Sequence, residues 1–593
     1  MNLSRLSGIT DMRQLSFKIE QIMGNIDTGS VKDRTFDVIV IGSGMSGGWA
    51  AKEFTEKGFK TLVLERGRDV KHIKDYPTAN KFPYEFEHRG EMPLDVQKAN
   101  PIINRCYAFQ EDAAHFFVKD TEHPYVQEKP FDWIRGYQVG GKSLMWARAT
   151  QRWSNFDYEG PARDGFAVDW PIRYEDMAPW YSHVEKFAGI AGNRDGLEQL
   201  PDGEFLPAFP LNAVEDYFRK QLTEKYQHRH IISERVAHLT KPNPIHLEQG
   251  RAQCFSRDLC QRGCPLGGYF SSNSSTIPWA AKTGNLTLRP FSVVHSVIYD
   301  SRKNKATGVR VIDANTKSDI EFYAKVVFVN AGALNTNLLL LNSTSSRFPG
   351  GLGNENGLMG KFVAFHNYSA RITAQYDGLK EFTTVGRNPA GGGYMPRFRN
   401  LFKQETHFLR GYAAGFSAYR STPVDSSGIG AALKQRLLNP ETGPWKIGSH
   451  MMGETIPKET NSVRLDPDKK DAWGIPLLKI SVVYDDNDEK MKQDYFEQFT
   501  EMLTETGFDK IERHNSDQHP GLDVHEMGGV RMGKDPRTSL LNKWNQLHAC
   551  ANVYVTDGAC MTSTSTQNPS LTYMALTARA VDHAVQQSKK GDL

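Results

Sequence analysis

The 593-residue chain reads as an α/β protein of two parts: a Rossmann-like parallel sheet and a second domain built on an antiparallel sheet. Three observations predict this. Residues 36–68 run strand, glycine turn, helix, strand; residues 346–520 change to alternating strands and polar loops; and the C-terminal stretch returns to strand–glycine–helix order. The length also exceeds what one compact core fills.

Residues 1–33 are a polar lead-in, in which Leu15, Ile19, Ile22 and Met23 share helical spacing and predict a short appended helix. It has no continuous apolar run and no small-residue cleavage site, unlike a secretory signal, so taken alone it points to the cytoplasm. Val38–Ile41 is apolar on both faces, as a buried parallel strand is. Gly42, Gly44 and Gly47 follow at G-x-G-x-x-G spacing. The first permits a tight turn, the second lets backbone approach a pyrophosphate, and the third lets helix pack on strand. The helix Trp49–Lys57 ends at Gly58, with its N-terminus toward the phosphates. A second strand, Thr61–Leu64, finishes on Glu65, 18 positions after Gly47, where an acid meets a ribose hydroxyl; Arg66 follows it in the cofactor-binding set. Strand, turn, helix, strand and acid in register predict dinucleotide binding.

Residues 69–130 are rich in Pro, His, Lys and aromatics and read as long loops wrapping the first domain, a lid over the active site among them. Gly140–Gly141, followed by Lys142 and Ser143, permits close backbone approach to a ligand. A helix is expected from Tyr174 to a glycine cap. Strands Leu286–Arg289 and Val293–Tyr299 are expected to pair with Gly308–Asp313. Lys325–Asn330 reads as a buried strand entering a helix through Ala331 and Gly332. Strands Phe362–Tyr376, Gly411–Tyr419 and Leu477–Tyr484, with a helix near Asp486–Thr506, suit an antiparallel sheet covering a binding site. The expected division is 34–160, 250–345 and 521–593 for the dinucleotide domain, and 161–249 with 346–520 for the substrate-binding domain and cap.

Charge is balanced, 72 basic against 69 acidic residues, which gives no reason to propose nucleic acid or an anionic membrane as partner. The most apolar stretch, Val326–Leu341, is broken by Asn330, Asn335 and Asn337, so no membrane span is expected. Three of the six cysteines are scattered, Cys106, Cys550 and Cys560. The others, Cys254, Cys260 and Cys264, form C-x5-C-x3-C before Pro265, a pattern typical of iron–sulfur ligation; three ligands suit a 3Fe–4S cluster. Zinc would want a fourth N or S ligand, and the loop holds no histidine. An incidental thiol loop is the bland alternative.

Near the C-terminus, His525 sits at a strand end before Gly528–Gly529, and Asn568 precedes a helix Pro569–Val585 with Pro at its first position. An imidazole beside an alcohol carbon can take the hydroxyl proton as hydride leaves, and an amide can hold the same oxygen. The helix dipole suits negative charge on a reduced flavin.

Over 36–590 the chain resembles the glucose–methanol–choline (GMC) oxidoreductase family. The motifs that carry the resemblance are GSGMSGG with Glu65, VGGKSLMWA, VNAGALNT, GLMGKFVAFHN, HEMGGVRMG, VYVTDGA and NPSLTYMALTARA. It implies the GMC fold, FAD as cofactor, His525 as catalytic base and Asn568, 43 positions later, as its partner. It further implies Val294 beside the adenine, and Asp557 and Gly558 near the pyrophosphate and ribitol. Many members carry Asn where this chain has Trp146, a feature it shares with bacterial sugar and polyol dehydrogenases. In some members a histidine just before that position tethers FAD; Met145 stands there, so non-covalent FAD is implied. Bacterial sugar dehydrogenases of the family have a similar cysteine-rich insertion ending CP. The resemblance is to glucoside 3-dehydrogenases and to sugar, polyol or gluconate dehydrogenase flavoprotein subunits. It implies a sugar or glycoside substrate, a small subunit bearing the export signal, a c-type cytochrome and a periplasmic location. An oxidase using O₂ and a catalytically silent FAD-binding subunit are the alternatives.

Overall fold

The computed structural model describes residues 33–383, 392–421, 428–439, 442–516 and 518–593; the helix expected around Leu15–Met23 lies outside them. Five parallel strands form the centre of the first sheet: β1 (Thr35–Ile41), β2 (Thr61–Leu64), β3 (Leu286–Arg289), β4 (Asp319–Val329) and β5 (Cys550–Val555). Their order is β5-β4-β1-β2-β3. Val38, Ile39 and Val40 in β1 are fully buried, as a strand covered on both faces requires.

One pairing differs from expectation. Ser292–Asp300 does pair with Lys305–Asp313, which continues antiparallel onto the start of β4. Leu286–Arg289 does not join them; it lies parallel to β2, Leu288 opposite Val63. The sharp bend at Pro290–Phe291, where Phe291 has φ 54°, separates the two strands and sends them different ways.

Three helices turn toward the carboxyl ends of these strands: α1 (Met45–Glu56), α2 (Ala333–Asn342) and α3 (Ser570–Lys590). α1 starts four residues earlier than the apolar pattern indicates, because Ser46, Gly47 and Gly48 are buried against neighbouring backbone. A Cβ on Gly47 would stand 1.9 Å from the Gly42 carbonyl, so only glycine lets this helix sit so close to its strand. In α3 the expected first residue, Pro569, is instead the N-cap, and the helix runs on past Val585 to Lys590.

The second sheet is antiparallel. Its order is Asp509–Asn515, Ala370–Tyr376, Trp445–Glu454, Tyr412–Arg420, Gly393–Met395 and Ile232–Ser233, with His366–Asn367 added on Trp445–Glu454. The helix Asp486–Glu505, capped by the Asp485 side chain, buries Met491, Tyr495, Phe499 and Met502 against this sheet. The expected strand Leu477–Tyr484 appears as Pro476–Ser481 but belongs elsewhere, in a small sheet with Ser462–Lys470 and Val126–Gln127. Residues 69–130 are mostly turns and short helices, yet Ile103, Phe109, Phe116 and Phe117 give them a core of their own.

Candidate active site

A cavity of about 820 Å³ runs from the carboxyl end of β1 to the inner face of the antiparallel sheet. This is where an open α/β sheet binds ligands, beyond the carboxyl ends of its strands. Gly42, Gly44, Glu65, Arg66, Val294 and Trp146 line it. So do Gly141, Ser143, Ala331, Gly332, Asp557 and Gly558, and at the far end His525 and Asn568. Gly47, Gly140 and Pro569 lie behind this lining.

Gly44 is the informative glycine. A Cβ built there would meet nothing nearer than the Gly140 carbonyl at 4.0 Å, so no protein neighbour demands glycine at this position. The demand comes from the cleft, as it would if a pyrophosphate lay against the backbone at the start of α1. Gly140 reads differently from expectation. It has φ 90°, and a Cβ there would fall 1.6 Å from Asn273 Oδ1, so a structural side chain excludes anything larger.

Glu65 accepts from Ser43 N at 3.1 Å and Ser43 Oγ at 2.5 Å, and its other oxygen accepts from Gly67 N at 3.0 Å. Burial pushes its carboxyl up. Much of its bonding thus goes into the glycine turn itself. Arg66 is held with its guanidinium 4.6 Å from the Tyr137 ring and 4.9 Å from the Trp473 ring, its Nε buried without a partner. Asp557 is likewise turned to local work: it accepts from Gly332 N at 2.8 Å, Thr336 Oγ1 at 2.6 Å and Ala559 N at 3.0 Å. Burial pushes it up to about 6. Ser143 Oγ donates to the Gly140 carbonyl and accepts from Ser272 N, and Trp146 Nε1 donates to the Phe270 carbonyl at 3.0 Å. Buried polar atoms with no partner in the protein remain on the cleft wall, Asn330 Nδ2 and the Tyr573 hydroxyl among them. Open backbone at Gly44 and unpaired donors beyond it fit a phosphate-bearing, polar cofactor.

His525 and Asn568, far apart in sequence, meet here: Asn568 Nδ2 lies 3.3 Å from His525 Nε2. The other ring nitrogen, His525 Nδ1, lies 2.9 Å from His366 Nδ1. Burial, with His366 and Lys142 nearby, holds His525 well below the usual histidine range, so it is neutral and able to accept a proton. Burial likewise takes His366 down to about 4 and Asp523 up to about 7. Ligand-type atoms of His366, Asp523 and His525 lie within 4.8 Å of one another. The 2.9 Å contact between the two ring nitrogens has the length of a hydrogen bond. Lys142 pairs with Glu526 at 2.7 Å beside this cluster. His366 stands in the motif GLMGKFVAFHN, but nothing in its spacing ties it to His525, so its place beside the base emerges only from the fold.

The cysteine loop borders the same cavity through Asp258 and Gln261. Burial first, then the neighbouring thiols, pushes Cys254 up to about 11 and raises Cys260. The fold also supplies what the loop lacks: His238 Nε2 lies 3.8 Å from Cys260 Sγ. Arg148 Nε, Arg251 Nη2 and His238 Nδ1 are buried without hydrogen-bond partners around these thiols. Unpaired buried donors around thiols suit an anionic, sulfur-rich group better than an inert loop.

The GMC oxidoreductase family model matches residues 36–363 with its N-terminal part and 457–577 with its C-terminal part. The chain is 28% identical to 2-methyl-1,2-propanediol dehydrogenase of Mycolicibacterium austroafricanum, over 92% of this chain and 94% of that protein. It is 25% identical to the fructose dehydrogenase large subunit of Gluconobacter japonicus, over 94% of this chain and 98% of that one. Among solved structures, pyridoxine 4-oxidase from Mesorbium loti superposes with a TM-score of 0.56 at 14% identity, covering 93% of this chain and 99% of its own. That likeness speaks to the fold.

Proposed function

The chain belongs to the GMC oxidoreductase family, and from that premise we propose that it oxidises a secondary alcohol of a sugar or glycoside to the ketone. The observation that carries the reading is the neutral His525 beside Asn568, at the far end of a cleft that begins at the glycine turn. Bound FAD would supply the hydride acceptor. Gly42, Gly44 and the start of α1 would hold its pyrophosphate, and the N-terminus of α3 would face its ring system. Asn568 would hold the substrate hydroxyl, and His525 Nε2 would take its proton as the C–H bond breaks. The wall formed by the antiparallel sheet, with Arg371, Tyr368 and His450, gives polar groups for a polyhydroxylated ligand.

Cys254, Cys260 and Cys264 are proposed to hold a 3Fe–4S cluster, which would supply one-electron transfer to an external acceptor. The buried donors of Arg148, Arg251 and His238 favour this reading. Purified protein is expected to contain iron and acid-labile sulfide, both removed by Cys260→Ser while flavin is retained. Absence of iron together with peroxide formation on substrate addition would make the protein an oxidase. A partner subunit, a cytochrome and a periplasmic location are proposed on the resemblance to multi-subunit sugar dehydrogenases, the fructose dehydrogenase large subunit among them. No helix among the described residues is long and apolar enough to cross a membrane.

Anaerobic addition of a panel of glycosides, free sugars, polyols and small diols tests the substrate class. Sugars or glycosides are expected to bleach the flavin and yield keto-sugars. Bleaching by diols alone would replace the sugar reading with one closer to the propanediol dehydrogenase.

A further inference from the structure

The contact between His525 and His366 poses a question of protons. Two neutral imidazoles whose Nδ1 atoms lie 2.9 Å apart share one hydrogen, so one ring donates and the other accepts. If His366 donated, the His525 proton would sit on Nε2, where the alcohol must deliver its own. Two features outside the pair decide the matter, and they agree. At the cleft end, the Asn568 amide nitrogen approaches His525 Nε2 at 3.3 Å, and an N–H there needs a lone pair to meet. At the buried end, His366 Nε2 is out of solvent and makes no hydrogen bond, and the polar group set beside the ring is the backbone carbonyl of Ser565. A carbonyl oxygen favours an N–H at that atom and disfavours a lone pair.

Resting on the function proposed above, we propose that His366 is a positioning residue that fixes the tautomer of His525. The protons run in one direction: His366 Nε2–H toward the Ser565 carbonyl, His525 Nδ1–H to His366 Nδ1, and an unprotonated His525 Nε2 whose lone pair meets the Asn568 N–H until the substrate hydroxyl takes its place. When His525 accepts the alcohol proton at Nε2, its Nδ1–H stays in place on His366, so no second proton has to move. Asp523, the nearest carboxylate, does not take this part. It stands 3.9 Å from His525 Nδ1, beyond hydrogen-bonding distance, and accepts instead from the His366 backbone N–H at 2.9 Å. That contact, with the pairing of His366 to Glu454 across the strands, fixes where the His366 ring sits.

Selective ¹⁵N-histidine NMR of the flavin-loaded protein reads the tautomer without any substrate, so its outcome is separate from which alcohol is oxidised. The His525 signals, assigned by their loss in His525→Gln, are expected to show a proton on Nδ1 and none on Nε2. A proton on Nε2, or an even mixture, overturns the proposal. The amide of Asn places its oxygen where Nδ1 of histidine was, whereas that of Gln reaches the position of Nε2. His366→Asn is therefore expected to preserve the tautomer and to keep the saturating rate of flavin reduction within about tenfold of the parent. His366→Gln and His366→Phe are expected to give mixed tautomers and rates about 10- to 100-fold lower, with KM little changed. Equal behaviour of the Asn and Gln variants would leave His366 a packing residue and end the proposal. If the variants fail to fold, the spectrum of the unmodified protein still decides.

Discussion

Replacing His525 with alanine is expected to slow substrate-driven flavin reduction by about 10²- to 10⁴-fold, the range that a positioned general base supplies. Flavin content should stay unchanged, because the glycine turn lies at the other end of the cavity. The pH profile should carry a second signature. A histidine with an ordinary pKa near 6.5 would make the rate fall as pH drops through about 6.5. His525 is held well below that value by burial and by the nearby His366 and Lys142, so it stays unprotonated and the rate should be level through that region. A profile that breaks near the ordinary value, or an alanine variant with full rate, would remove His525 as the base.

The largest effect on stability is expected at Glu454. Its carboxylate is fully buried and paired with Arg410 at 2.9 Å and Arg397 at 2.6 Å; Arg397 also meets Asp157 at 3.2 Å and Arg410 meets Asp164 at 2.7 Å. Glu454→Gln leaves two buried guanidinium groups short of counter-charge, which is expected to cost about 3–5 kcal/mol. The measurement is the shift of the denaturant midpoint against Lys490→Gln, which removes the exposed pair with Asp486 and should barely move it. Equal shifts in the two variants would show that the buried network does not hold the sheet. Glu454 is also the register partner of His366, so the same variant should loosen the strand on which the proposed tautomer rests.

The parts that were legible in the sequence are those whose physics is local. The β1–turn–α1–β2 unit declares itself through unbroken apolar runs and glycine spacing, and the structure places the start of α1 at Met45. The helix Asp486–Glu505 lies within one residue of the expected Asp486–Thr506, whereas α3 starts one residue after the expected Pro569 and runs five residues past Val585. What stayed hidden depends on long-range placement. Leu286–Arg289 has the composition of either a hairpin strand or a parallel edge strand, and only the bend at Phe291 separates the two. Pro476–Ser481 alternates like its neighbours but pairs into another sheet. Gly140 looked like a ligand-contacting glycine, and its reason proved to be Asn273, 133 residues away. His366 lies in a matched motif and His238 in none, and neither has a spacing that ties it to its partner. Each becomes informative only when the fold sets it beside His525 or Cys260.

The cleft is closed by segments 510 residues apart in the chain, and this has a consequence for how the protein is made. Ser46 in the opening turn donates to the Thr556 carbonyl, 510 residues downstream, and α1 packs on α3. β1 must also wait for β4, and β4 for β5, before the sheet is whole. A ribosome therefore releases the glycine turn long before the chain that completes its site exists. Contacts of such sequence separation form slowly. Capture of the nucleotide is then one of the last events of biogenesis, and a chain stopped short of α3 would leave the ribosome with its first motif exposed and without the partner that buries it.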